Sequence, residues 1–130
     1  MKRRTAREKA LQTLFQVYVS NTDPSEAIEH VLEEQRPDLF MTNLVKGTIE
    51  HEKELDELIT PHLIKWTMDR LANIDKTILR MAVYELKYEQ DIPMNVTLDE
   101  AVELAKAFGD DNSSKFINGV LSKIKKELDN

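Results

Sequence analysis

The sequence predicts an all-α protein, a compact bundle of about six or seven helices in one domain that spans residues 1–130. Three observations predict this class. Apolar residues recur at spacings of three and four along most of the chain, which is the period of an amphipathic helix. Only 3 Gly and 4 Pro interrupt the 130 residues, and both residue types disfavour helix interiors. No segment shows the strict two-residue alternation of a half-buried strand.

The first half of the chain shows three amphipathic segments separated by clear breaks. The apolar residues between positions 3 and 19 lie on one helical face. Asp23 and Glu26 have the spacing of a helix-capping pattern, and Pro24 suits the first position of a second helix. A break at Pro37 separates the second helix from a third predicted helix, which is long enough to contain a bend.

The second half continues with shorter connections. A strong helical pattern ends near Tyr88. Thr97 and Glu100 have the spacing of a capping box, which predicts that a helix begins there, and Gly109 is placed to cap its end. The expected helices are therefore residues 3–19, 24–35, 38–58, 73 or 75 to 88, 97–108 and 113–128, with a short helical segment between 60 and 72.

Composition excludes several classes of protein. The chain has no Cys, so disulfides and thiolate metal sites are excluded. The three histidines, His30, His51 and His62, are not at metal-ligand spacing, and there is no HExxH, P-loop or GxGxxG motif. No apolar run approaches the roughly 20 residues of a membrane span, and no signal core follows the basic start. We expect a cytoplasmic, non-membrane protein that is not an enzyme and needs no metal or cofactor.

Charge is distributed unevenly along the chain. The formal net charge is −6, yet residues 2–9 carry five basic side chains, Lys2, Arg3, Arg4, Arg7 and Lys9. Arg3 and Arg7 lie one helical turn apart, so the arginines are expected to form a basic stripe that suits phosphate. Cations at a helix start oppose the helix dipole by about 0.3–1 kcal/mol each, which favours a ligand there. The alternative is an ordinary solvated terminus.

A second candidate site lies at the start of the last helix. Phe116 sits at the edge of an apolar stripe, where it is either part of the core or a platform for an unstacked base, with Lys115 beside it for phosphate. Gly119 in mid-helix costs about 1 kcal/mol relative to Ala. That cost indicates close approach of a ligand or of another helix.

Several segments, taken in order, match one known family. They are Arg3–Glu8, Asp75–Leu86, Ile92–Pro93, Asp99–Lys106 and Lys115–Leu121. Their order and spacing resemble the NusB family of bacterial transcription antitermination proteins over nearly the whole chain. The arginine-rich first helix, a helix of the form LRxAxYEL and a Lys-Phe-x-Asn-Gly motif carry the resemblance.

The resemblance implies a fold of two packed helical sub-bundles and a function in transcription. It implies binding to the boxA element of ribosomal RNA leader transcripts, together with NusE, a small-subunit ribosomal protein. This complex would support processive transcription by RNA polymerase in an antitermination complex. Some members of the family pair with themselves, so a homodimer is left open.

The resemblance also implies residue roles. RNA contacts are expected at Lys2, Arg3, Arg4, Arg7, Lys115, Phe116 and Gly119. Partner contacts are expected at Phe15, Asp75 and Arg80, although Phe15 also fits the core stripe and Arg80 can pair internally with a carboxylate. Two rival interpretations exist. One is the NusB-like RNA-recognition domain of an RNA cytosine methyltransferase, for which the chain lacks both a Cys and the room. The other is a helical protein–protein adaptor without RNA binding.

Overall fold

The computed structural model describes residues 1–129 and confirms the all-α class. These residues form seven α-helices and two single 3₁₀ turns, with no strand. The helices are α1 (Arg3–Ser20), α2 (Pro24–Leu32), α3 (Leu39–Glu50), α4 (Glu52–Ile59), α5 (Asn73–Tyr88), α6 (Met94–Phe108) and α7 (Ser113–Asp129), and the 3₁₀ turns are Thr60–His62 and Met68–Arg70.

The helices pack as two sub-bundles that share α5. In the first, α1 packs on α2 and α3, and in the second, α6 and α7 pack on each other. Helix α5 contacts α1, α3, α4, α6 and α7, and nine of its 16 residues are buried. A helix that is buried nearly all round lies at the centre of a bundle. Buried apolar residues from both sub-bundles therefore form one continuous cluster.

A buried ion pair joins three of these helices. Arg7 on α1 is 4% exposed and Glu85 on α5 is 2% exposed. The Arg7 Nε donates to both carboxylate oxygens of Glu85 at 3.0 and 3.1 Å, and the Arg7 Nη2 donates to Oε1. The Thr97 hydroxyl, on α6, donates to the same carboxylate at 3.0 Å. Each buried charge is thus paired and hydrogen-bonded, which offsets its loss of hydration.

Most helix ends lie where the sequence predicts them, and Asp23 is confirmed as a cap. Its carboxylate accepts hydrogen bonds from the Ser25 and Glu26 N–H groups at 3.1 and 3.3 Å. The prediction that the second helix reaches residue 35 is wrong: Glu33 adopts a φ of 56° and ends α2 at Leu32.

The prediction of one helix over 38–58 is also wrong. The helix breaks at His51, whose φ of −102° and ψ of 14° lie outside the helical region. Beyond the break, Asp56 on α4 accepts hydrogen bonds from Arg80 on α5. The expected bend is thus a one-residue break between two helices.

The prediction of a capping box at Thr97 is also wrong. Helix α6 begins one turn earlier, at Met94, after Pro93. Proline has a fixed φ and no N–H group, which suits a helix start. The Thr97 hydroxyl is bonded to buried Glu85 and therefore does not cap. Gly109 is the C-cap as predicted, with extended backbone (φ −91°, ψ −171°).

One glycine permits close contact between α3 and α5. A Cβ atom at Gly47 would lie 2.2 Å from the Tyr84 ring. That ring is stacked at 5.1 Å from the Tyr88 ring and lies 6.0 Å from the His51 ring. The Tyr84 ring cannot move aside without disturbing this aromatic cluster.

We expect Gly47→Ala to lower the free energy of unfolding by about 1–3 kcal/mol, because the new methyl group overpacks this contact. Urea denaturation measures the change. Gly119→Ala is the matched control: it is also helical, but a Cβ there meets no atom within 4 Å. Unchanged stability of Gly47→Ala would show that the α3–α5 contact is not tight.

We expect Arg7→Met to lower the free energy of unfolding by about 3–5 kcal/mol, because it leaves the Glu85 carboxylate buried without its cation. The double variant Arg7→Met/Glu85→Leu should recover most of this loss, since it removes both charges from the interior. Urea denaturation of the wild type, both single variants and the double variant completes the cycle. A loss below about 1 kcal/mol for Arg7→Met, the ordinary effect of a point substitution, would contradict this account.

Candidate nucleic-acid interface

The arginines at the start of α1 do not form one exposed stripe as predicted. Arg7 is buried in its pair with Glu85, so the expectation that it lies on the surface beside Arg3 and Arg4 is wrong. The physical reason is that position 7 borders the apolar face of α1 and finds a carboxylate in the interior. Arg7 holds α1 in place and is not accessible to a phosphate.

The other basic residues at this end of α1 are exposed. Lys2, Arg3 and Arg4 all lie on the surface. The Arg3 guanidinium lies 4.1 Å from the centre of the Phe40 ring, a cation–π contact that directs it towards α3. Arg4 turns the other way and donates to Glu100 on α6 at 3.0 and 3.1 Å, with 62% of its side chain exposed.

Arg4 and Lys115 line one open groove, although they are far apart in the sequence. This α6–α7 groove has a volume of about 530 Å³ and is also lined by Asp99, Glu103 and Lys106. It lies between the start of α1 and the facing sides of α6 and α7. The structure thus brings together one residue from each of the two predicted RNA-binding segments.

A second groove begins at Lys115 and extends along the other side of α7. This aromatic groove, of about 340 Å³, is lined by Phe116, Gly119 and Trp66. Phe116 is half-buried, so it packs against the core and still borders the groove. Gly119 is exposed, and a Cβ there would meet nothing within 4 Å, so contact with another helix does not explain this glycine.

A third groove adjoins the second and reaches the start of α5. This α5 groove, of about 490 Å³, is lined by Trp66 and Phe116 together with Asp75 and Arg70. Asp75 is half-buried, and its Oδ1 has no hydrogen-bond partner within residues 1–129. Burial raises the pKa of Asp75, the charge of Asp110 adds to the shift, and the Ser113 hydroxyl opposes it. A predicted partner residue therefore borders the same surface as the predicted RNA residues.

The other two predicted partner residues lie elsewhere. Arg80 is buried and donates to Asp56 at 2.8 and 2.9 Å, and its guanidinium lies 5.0 Å from the centre of the Tyr18 ring. Burial alone would lower the pKa of Arg80, but the hydrogen bonds and charge of Asp56, with Glu52, raise it. The alternative of an internal pair is confirmed for Arg80. Phe15 is half-buried on α1, so part of its ring stays accessible.

Trp66 also lines the aromatic groove and the α5 groove, although the sequence did not predict it as a site residue. It lies between the two 3₁₀ turns and is 53% exposed. The available signal was a large aromatic residue beside a cation, Lys65-Trp66, in the short segment between residues 60 and 72.

Residues 1–129 contain neither a cluster of metal-binding side chains nor a membrane-spanning helix. No group of three or more His, Asp or Glu side chains is arranged to hold a metal ion. None of the helices combines the length and the apolar character required to cross a membrane.

Known proteins resemble this chain over almost its whole length. The NusB family profile matches residues 4–126. The chain is 59% identical over 128 residues to the transcription antitermination protein NusB of Bacillus pumilus (strain SAFR-032), covering 98% of each chain. It is 57% identical over 129 residues to the protein of that name from Bacillus subtilis (strain 168), covering 99% of this chain and 98% of the relative.

Solved structures agree with these relatives. The T. maritima NusB structure matches with a TM-score of 0.87 and 38% identity, covering 98% of this chain and 92% of that one. A crystal structure of antitermination factors NusB and NusE in complex with double-stranded RNA matches with a TM-score of 0.87 and 30% identity, covering 96% of each chain. Sequence and fold together show that this chain belongs to the NusB family.

Proposed function

We propose that the protein is a transcription antitermination factor that binds single-stranded boxA-type RNA of ribosomal RNA leader transcripts together with NusE, and so supports processive transcription by RNA polymerase. The observation that carries this proposal is the position of Lys115 at the junction of two grooves. One groove contains Arg4, and the other contains Phe116 and Gly119.

The chemistry of this junction suits a single strand of RNA. Lysine and arginine side chains bind phosphates, and an aromatic ring such as Phe116 can stack an unpaired base. A helix cannot enter the deep major groove of duplex RNA, so sequence-specific recognition requires unstacked bases. The net charge of −6 repels RNA from the rest of the surface and favours binding at this junction.

Arg4 can exchange its partner when RNA binds. Its ion pair with Glu100 is exposed on the arginine side, and exposed pairs are weakly held in water. A phosphate in the α6–α7 groove can therefore compete with Glu100 for the guanidinium. Arg7 contributes indirectly, because its buried pair positions the helix that carries Arg4.

Asp75 supports the proposal of a protein partner. Asp75 lines the α5 groove, which shares Trp66 and Phe116 with the aromatic groove. Its Oδ1 is buried without a hydrogen-bond partner among the described residues, so this oxygen gains one only if the carboxyl group turns towards the groove. A donor from NusE in the groove would favour that turn and place the partner next to the RNA. A structural relative forms a complex with NusE and double-stranded RNA, which supports the proposal of these two kinds of partner.

Fluorescence anisotropy of a labelled boxA-like single-stranded RNA, at several salt concentrations with and without NusE, tests the proposal. We expect tighter binding with NusE. Lys115→Ala should weaken binding and reduce the slope of log K against log salt by roughly 0.7, the value for one phosphate contact on a single strand.

Lys53→Ala is the charge-matched control, because Lys53 is an exposed lysine on the acidic helix α4. The two variants have the same net charge, so only the position of the lost cation differs. Equal effects of both variants, or no binding with or without NusE, would contradict the proposal. In the second case a helical protein–protein adaptor without RNA binding becomes the better description.

Gly119→Ala separates stability from RNA binding. We expect the free protein to become more stable by up to about 1 kcal/mol, since Ala is the better helix former and its methyl group meets no neighbour. RNA binding should weaken, because the methyl group projects into the aromatic groove. Thermal denaturation and anisotropy measure the two effects, and undiminished RNA affinity would place the strand away from Gly119.

A further inference from the structure

We infer that Trp66 and Phe116 together form a nucleotide-binding subsite, in which the aromatic groove takes one unstacked nucleotide of the bound RNA and Trp66 stacks on its base. This inference rests on the proposed function and extends it to a residue outside the Lys-Phe-x-Asn-Gly motif.

The placement of Trp66 is the first argument. The side chain is 53% exposed, although burial of a large aromatic ring is strongly favoured in water. It borders both the aromatic groove and the α5 groove, and Phe116 borders the same two. The aromatic groove, at about 340 Å³, is at the lower end of the size range of small-molecule sites. Its size and two aromatic walls suit one nucleotide.

The charge of the aromatic groove is the second argument. Lys65, Lys115 and Lys123 line it, and within residues 1–129 no carboxylate does. His62, which also borders it, is bonded to Glu127 at 2.8 Å. Three cations without a lining carboxylate favour a negatively charged occupant.

The α6–α7 groove differs from the aromatic groove in the charges that line it. In the α6–α7 groove, Asp99 and Glu103 accompany Arg4, Lys106 and Lys115. The cations there are partly neutralised by carboxylates within the same groove. A strand that enters at Arg4 and crosses α7 at Lys115 therefore passes from a groove of mixed charge to one lined by three lysines and, among the described residues, no carboxylate.

The combination of rings and lysines favours RNA over a peptide as the occupant. Nonpolar peptide docking would use the exposed Ile64 and Trp66 but gains nothing from three surrounding lysines. Single-stranded nucleic acid uses both features at once, because each nucleotide offers a flat base for stacking and a phosphate for a cation. Lys115 also lines both the aromatic groove and the α6–α7 groove, so the aromatic groove continues the proposed RNA path. This continuity likewise favours RNA as the occupant.

Trp66 is the only tryptophan in the chain, so its fluorescence reports on this subsite directly. Unlabelled boxA-like single-stranded RNA is titrated into the protein, alone and with NusE, while Trp emission and its quenching by acrylamide are recorded. Trp66→Phe protein supplies the background from any tryptophan in NusE. We expect RNA to quench the emission and to shield Trp66 from acrylamide.

Fluorescence anisotropy of Trp66 variants measures the contribution of this side chain to RNA affinity. Trp66→Ala should weaken RNA binding by roughly 5- to 150-fold, the range for loss of one base–aromatic stack, while Trp66→Phe keeps most of the affinity. Phe108→Ala is the matched control, because Phe108 is 38% exposed and borders none of the three grooves. Its affinity should equal that of the wild type.

The outcomes distinguish the subsite from the proposed function. RNA binding with unchanged Trp66 emission and acrylamide access, or with full affinity in Trp66→Ala, overturns the subsite and leaves the RNA-binding function intact. A change in emission caused by NusE alone, with no further change when RNA is added, overturns the subsite in favour of a protein contact. Absence of RNA binding by the wild type with NusE present overturns both.

Discussion

The buried ion pair between Arg7 and Glu85 is the interaction on which the geometry of the proposed RNA surface depends. It joins α1 to α5, and the Thr97 hydroxyl adds α6 to the same junction. Helix α7 packs on both α5 and α6, so the junction also fixes α1 relative to α7. Arg4, one turn before Arg7, is thereby held at the groove that Lys115 borders from α7. A structural pair in the interior thus positions cations on the surface.

Local patterns predicted the fold well where local physics decides it. The amphipathic period gave the helices, and the Asp23 cap lies where its short side chain can reach the next N–H groups. The errors at Thr97 and Arg7 come from contacts between distant residues. The Thr97 hydroxyl is bonded to Glu85, and Arg7 reaches the same carboxylate 78 positions away in the sequence. The local patterns around Thr97 and Arg7 do not include Glu85, so they could not predict these contacts.

The residues of the candidate site also fall into those that a local pattern predicts and those that only tertiary packing brings together. Lys115, Phe116 and Gly119 form a compact motif on one helix, so the sequence alone could single them out. Their juxtaposition with Arg4 and Trp66 arises only when α1, α7 and the segment between the 3₁₀ turns are packed together. Trp66 was predicted only as part of the short segment between residues 60 and 72, and the role inferred for it rests on its exposure beside Phe116.

The most direct test of this account is the pattern of amide chemical-shift changes when boxA-like single-stranded RNA is added to the isotope-labelled protein with NusE. Shifts that differ between the complex with NusE alone and the complex with NusE and RNA report the RNA surface. The account predicts changes at Lys2 to Arg4, at residues 64–70 and along the first half of α7, with α4 unaffected. Changes concentrated on the acidic helix α4, or absent from α7, would contradict it.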